Sequence, residues 1–124
     1  MPDSNTTKKA LAQSLKELMG QQPFSKISVA DICESCGMSR KSFYYHFQDK
    51  YALVHWIFDA EFVRPVRDAE HENSWELFRA LCLYFYRERT FYRCALQIQG
   101  QNSFQEYFRE VTAPMMETVA AEIF

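Results

Sequence analysis

Read as apolar and polar positions, the first half of the chain falls into four helical stretches. Ala10, Leu11, Leu15, Leu18 and Met19 recur at helical spacing behind Ser4-Asn5-Thr6, a run that offers N-caps. Gly20 and Pro23 end that helix, and Phe24 and Ile27 read as core contacts in the connecting loop. Ser28 to Asp31 is a capping-box pattern with Asp in place of Glu, so a second helix starts there. Val29, Ile32, Cys33 and Cys36 fall on one face of it. Gly37 stops it by supplying the positive φ a tight turn needs. Ser39 caps a third, short helix, whose Phe43 and Phe47 are four apart and point inward. Asp49 caps a fourth, patterned by Leu53, Val54, Ile57, Phe58 and Phe62 and limited by Pro65.

The second half reads as three more helices. The acidic run Asp68 to Glu72 is a connector. Trp75, Phe78, Leu81, Cys82, Phe85 and Tyr86 mark a fifth helix, and Phe91 to Ile98 a shorter sixth. Gly100 breaks the pattern, and Asn102 or Ser103 caps a seventh that carries Phe104, Tyr107, Phe108, Val111, Met115, Val119 and Ile123. Pro114 should kink it, since proline removes a backbone donor and clashes with the preceding turn. This last helix reaches Phe124 with no stop signal, and its apolar face has few partners in so short a chain. The expectation is a fragment of a longer protein, or a body completed by a second chain. The pattern implies an all-α fold: a three-helix helix-turn-helix head over 1–50, a fourth helix at about 49–65 as connector, and an incomplete helical regulatory or ligand-binding domain over 66–124.

Composition agrees with a packed fold. Of 124 residues, 48% are hydrophobic and 24% charged, which is globular rather than disordered. A net charge of -2 argues against a polyanionic partner, but the distribution changes that picture. Residues 1–50 hold seven lysines and arginines against five carboxylates; the remainder holds seven arginines against eleven. The head is therefore net positive and the body net negative, as expected of a polyanion-facing head. No apolar run approaches the roughly 18 residues of a membrane span. The polar start MPDSNTTKK lacks the apolar core of a secretory signal, so a cytoplasmic protein is expected. Its four cysteines then read as thiols.

The stretch GMSRKSFYYHFQDK, residues 37–50, carries the chemistry. A helix, a turn on Gly37-Met38-Ser39 and a short second helix form a helix-turn-helix, in which the second helix enters the major groove. Arg40 and Lys41 can reach guanine edges or phosphates. Tyr44, Tyr45 and His46 can donate to phosphate oxygens while their rings pack on sugars and thymine methyls. Lys50 can clamp a phosphate beside the positive end of the next helix. The competing reading is an aromatic-rich helix used only for packing. Cys33 and Cys36 form C-x-x-C, which can mean zinc or a redox pair. No further ligands lie nearby, and two thiols on one inward face fit small core residues better. Phe78, Phe85, Tyr86, Phe104, Tyr107, Phe108 and Met115 could line a ligand cavity or simply pack; Trp56 and Tyr84 share that ambiguity. His55 and His71 are expected to be solvated, Glu70-His71-Glu72 to be a charged connector, and Arg87 and Arg89 to face water or pair with nearby acids. There is no nucleophile elbow, phosphate loop or His-Glu-x-x-His, so no enzyme, catalytic residue, cofactor or metal is expected.

The string KISVADICESCGMSRKSFYYHFQDKYAL resembles the DNA-binding head of the TetR/AcrR family of bacterial regulators. The family pattern corresponds to Ile27-Ser28-Val29, Ile32, Gly37-Met38-Ser39, Phe43-Tyr44-Tyr45-His46-Phe47 and Lys50; Cys36 stands where alanine is frequent. The match covers about the first 60 residues. The wider string KKALAQSLKELMGQQPFSKISV…FYYHFQDKYALVHWIF is similar to the branch containing the dihydroxyacetone-kinase operon activator. The resemblance implies that Ser28 bonds a phosphate and that Arg40 and Lys41 read bases, sharing that role with Ser42. Ser39 joins this DNA-facing set. It further implies that Tyr44, Tyr45 and His46 hold the DNA backbone, that Lys50 grips a phosphate, and that Phe43 and Phe47 are core. Two subunits of a homodimer would bind a pseudo-palindromic double-stranded operator, their recognition helices about 34–36 Å apart. A small-molecule effector in the body would lower DNA affinity, usually as part of a repressor. In the closer branch, an activator under a protein co-regulator is implied, and the aromatic body is then a protein interface. A further alternative is a helical interaction protein that keeps the head only as a fold.

Overall fold

The computed structural model describes residues 4–68, 73–100 and 103–123, and all regular structure among them is helical. Helix α1 (Ser4–Met19) turns Leu11 and Leu15 fully inward, with Ala12 and Met19 beside them. Ser14, also buried, donates its hydroxyl to the Ile32 carbonyl at 2.7 Å, so a polar group inside the head is satisfied and ties α1 to α2 (Val29–Cys36). The loop between them makes one 3-10 turn, Phe24–Lys26, which buries Phe24 and delivers buried Ile27. Helix α3 (Arg40–His46) follows, anchored by Phe43 and by Phe47 just beyond its end.

Helix α4 (Lys50–Phe58) is central. Asp49 caps it by accepting the Ala52 N–H at 2.8 Å. Leu53, Val54, Ile57 and Phe58 are all buried, because α4 packs against both α1 and α8 (Phe104–Ile123). Pro65 does not limit this helix, contrary to expectation. A π turn, Asp59–Val63, follows α4 directly, and α5 (Arg64–Asp68) runs through the proline. Arg64 N–H reaches the Asp59 carbonyl five residues back. The wider turn loosens the ladder just where the proline ring would otherwise meet a carbonyl and leave it without a donor.

Asn73 caps α6 (Ser74–Arg87) by accepting the Glu76 N–H at 2.8 Å. Helix α7 (Arg89–Ala95) begins two residues before the expected start and ends three before the expected finish. Gly100 has φ 94°, and Ser103 accepts the Gln105 N–H at 3.3 Å at the start of α8. Pro114 lies inside α8, which continues to Ile123. Of the expected connector Asp68 to Glu72, Asp68 closes α5, while 69–72, with His71, and the candidate cap Asn102 lie outside the described residues.

One core runs through the molecule. Leu11, Leu15, Ile32, Phe43 and Leu53 fill it at the α1–α3 end; Phe58, Phe62, Tyr92 and Phe104 fill it where α4, α7 and α8 meet. Each such aromatic or branched side chain contributes about 1.5–3 kcal/mol when fully buried. Cys33 is part of this core, with Cys36 packed against it. His55 is not solvated as expected. It lies half-buried, stacked on Tyr107 at 4.9 Å and 9° between planes.

Candidate nucleic-acid interface

Local chemistry builds the turn before α3. Ser28 and Asp31 form a complete capping box. Ser28 Oγ accepts the Asp31 N–H at 3.0 Å, and Asp31 Oδ2 accepts the Ser28 N–H at 2.9 Å. Hydrogen bonding to the carboxyl from the Ser28 backbone, and secondly from its side chain, holds Asp31 below its ordinary range. Gly37 takes φ 72°, and the Met38 N–H then closes back on the Cys33 carbonyl at 3.0 Å. Ser39 Oγ accepts the Ser42 N–H at 3.0 Å and starts α3.

Helix α3 has only two turns, so one anchor decides its orientation. Phe43 is fully buried. Lys41 and Tyr45 lie two residues to either side of it, about 200° away around the helix, and so point outward together. Tyr45 is 82% exposed and Tyr44 54%. Arg40 and Lys41 are exposed, and Ser42 and His46 are half-buried. The Tyr45 and His46 rings meet edge to face at 4.9 Å, which stiffens the ridge. Ser28 and Ser39 are exposed at the starts of α2 and α3. Eight of the nine candidate residues are therefore exposed or half-buried, on α3 or at the starts of α2 and α3. The arrangement can present cations, phenols and hydroxyls to a groove.

Lys50 is the exception. Its ammonium turns back into the head and donates to the Phe24 and Ile27 carbonyls, both at 2.7 Å. It also sits 4.3 Å from the centre of the Phe24 ring. Burial pushes its pKa down, which the nearby Asp31 carboxylate partly offsets. The expected outward clamp is thus replaced by an internal brace, because the loop over Phe24 to Ile27 leaves two carbonyls within the stem's reach.

In the body, an apolar cavity of about 310 Å³ opens between α6 and α8. Phe78, Phe85, Phe108 and Met115 line it as expected. Tyr86, Phe104 and Tyr107 do not. Tyr86 is 66% exposed, under the Arg89 guanidinium. Phe104 is fully buried in the core. Tyr107 donates to Asp59 at 2.5 Å; burial, then this carboxylate, push its pKa up to about 12. Phe62, Leu81, Cys82, Thr112 and Met116 complete the lining and were missed. The signal was available: Phe108, Thr112 and Met115 are spaced by four and three along one stripe of α8, as Phe78, Cys82 and Phe85 are along α6.

Residues 7–57 match the family model of bacterial regulatory proteins, tetR family, and residues 72–124 match that of a transcriptional regulator C-terminal region. The chain belongs to the tetR family. Regulators of this family bind DNA operators. This tetR-family chain is 29% identical over 108 residues to the HTH-type dhaKLM operon transcriptional activator DhaS of Lactococcus lactis subsp. lactis (strain IL1403). That alignment spans 87% of this chain and 57% of the relative. A solved structure of the dihydroxyacetone kinase operon activator DhaS superposes with a TM-score of 0.76 at 26% identity, covering 94% of this chain and 65% of that one. The chain thus spans less than two thirds of the length of both relatives. Among the described residues, no helix is long and apolar enough to cross a membrane.

Proposed function

We propose that this chain is the DNA-reading head and part of the body of a sequence-specific transcriptional regulator, not an enzyme, acting on an operator in the cytoplasm. The observation that carries the reading is the outward pairing of Lys41 and Tyr45 opposite buried Phe43, with Arg40 and Tyr44 exposed beside them. In this reading α3 enters the major groove, and Arg40, Lys41 and Ser42 meet base edges. Tyr44, Tyr45 and His46 hold the DNA backbone. Ser39 uses a lone pair on a helix N–H, so its hydroxyl proton remains for a phosphate oxygen, and the Ser28 hydroxyl, which also bonds the Asp31 carboxyl, turns to one when DNA is present. Lys50 holds the loop rather than the DNA.

The α6–α8 cavity is the site for a small apolar effector, and a homodimer of the whole protein places two heads on one operator. The likeness to an operon activator favours activation over the repression more frequent in the family. A protein co-regulator is a second reading of the body, favoured by Trp75, Leu83 and Tyr86 standing exposed on α6.

Fluorescence anisotropy with duplexes from the gene's own upstream region tests the DNA reading. Arg40→Ala should weaken discrimination at particular base pairs by about 1–3 kcal/mol. Tyr45→Ala should lower affinity on every duplex without changing the melting temperature. Unchanged affinity in both variants, or a wild-type protein that prefers no duplex, removes the reading.

A further inference from the structure

A polar chain runs from α1 into the body. Lys16 Nζ lies 2.7 Å from both carboxylate oxygens of Glu61, in the π turn, and also donates to Glu88 at the α6–α7 junction. The Lys16 side chain is only 15% exposed. Glu61 Oε1 also accepts the Tyr84 hydroxyl at 3.1 Å, and the Tyr84 and Tyr92 hydroxyls share a hydrogen bond of 2.7 Å. One ammonium on α1 therefore bonds the π turn and the α6–α7 junction directly, and reaches Tyr84 and Tyr92 through Glu61.

The same elements meet again one residue further on. Phe62 and Phe85 both line the α6–α8 cavity, with ring centres 4.9 Å apart. Each directly follows a member of the polar chain: Glu61 precedes Phe62, and Tyr84 precedes Phe85. Helical neighbours point about 100° apart, so two contacts join the π turn to α6 side by side. The apolar one faces the cavity, and the polar one faces α1. Anything that spreads Phe62 from Phe85 must shear Glu61 against Tyr84, and Lys16 is bonded to Glu61. The π turn is suited to such a shift, since its i→i+5 bonding marks a helix carrying an extra residue that can be moved along it.

We propose that Lys16 is a positioning residue that ties the α1–α3 unit to the width of the α6–α8 cavity through Glu61. A group filling the cavity then acts on the head through this ion pair. The consequence for DNA rests on the regulator reading above; the link itself is intramolecular and is tested without DNA.

The test uses the full-length protein with the cavity filled in two independent ways. One is the substitution Thr112→Phe; the other is the neutral aromatic dye N-phenyl-1-naphthylamine, whose fluorescence reports entry. Amide hydrogen exchange is followed over residues 29–46. In wild type and in Lys16→Arg, filling should change exchange there by about fivefold, the low end of ordinary allosteric coupling. In Lys16→Met combined with Glu61→Gln, which leaves the net charge of the cluster unchanged, the same filling should leave residues 29–46 unaltered. Equal responses in both backgrounds overturn the proposal, as does no response in wild type when Thr112→Phe is folded by circular dichroism. Operator affinity is measured in parallel. A wild type that binds no duplex sinks the regulator reading while the exchange result still decides the link.

Discussion

Replacing Lys50 with methionine separates two roles that a lysine at the start of α4 can have. In the structure its ammonium makes two hydrogen bonds of 2.7 Å, to Phe24 and Ile27, and lies over the Phe24 ring. Hydrogen bonds involving a charged group contribute about 1.5–3 kcal/mol each where water is excluded. Here the side chain is only partly buried, and the lowered pKa records a desolvation cost set against those bonds. Methionine keeps most of the stem's packing and removes that cost. The balance is a loss of about 2 kcal/mol, including about 0.5 kcal/mol from the cation over the ring. With a urea m-value of about 2 kcal/mol/M, the unfolding midpoint should fall by about 1 M.

Two measurements on Lys50→Met decide the matter. Urea unfolding followed by circular dichroism should show the lowered midpoint with an unchanged slope. Operator binding across a salt series should be weaker, with the same dependence on salt as wild type, because no phosphate contact has been lost. A phosphate clamp gives the reverse. Stability stays put, and the log–log salt slope becomes shallower by about 0.9 per phosphate released. That second pattern would refute the brace.

Gly37→Ala should cost about 1–2 kcal/mol in thermal unfolding, because φ is 72° there; no atom lies within 4 Å of the added methyl, so a larger loss would mean the turn is held by more than its backbone. Phe43→Ala should cost about 3–5 kcal/mol, while Tyr45→Ala stays within about 0.5 kcal/mol; similar losses in both would contradict the inward and outward faces of α3. Asp31 has a folded pKa below its ordinary 3.8, so its contribution is complete above that value and fades as pH falls through the folded pKa. Wild type should therefore lose stability more steeply than Asp31→Asn as pH falls below 3.8, and parallel curves would exclude the capping-box charge as the cause.

What the sequence revealed and what it hid divide by distance along the chain. The caps at Ser28, Ser39 and Asp49 and the stop at Gly37 are interactions among residues within a few positions of one another, and each was legible. Lys50 was misread because its acceptors are 26 and 23 residues away. Local chemistry beside Asp49 and a helix start suggested an anion. A flexible four-carbon stem instead takes whichever acceptors the fold leaves open. The loop over Phe24 to Ile27 offers two: the Ile27 carbonyl, and the Phe24 carbonyl, which also accepts the Ile27 N–H at 3.1 Å. Lys16 follows the same logic with partners 45 and 72 residues away. His55 stacks on Tyr107, which no helical period connects to it. Periodicity placed Phe62 in the core, but that it also walls a cavity depends on where α6 and α8 lie. The long, cationic or amphipathic side chains are thus the ones whose roles a local pattern cannot fix. In this fold one of them, Lys16, also joins the three-helix head to the rest of the chain.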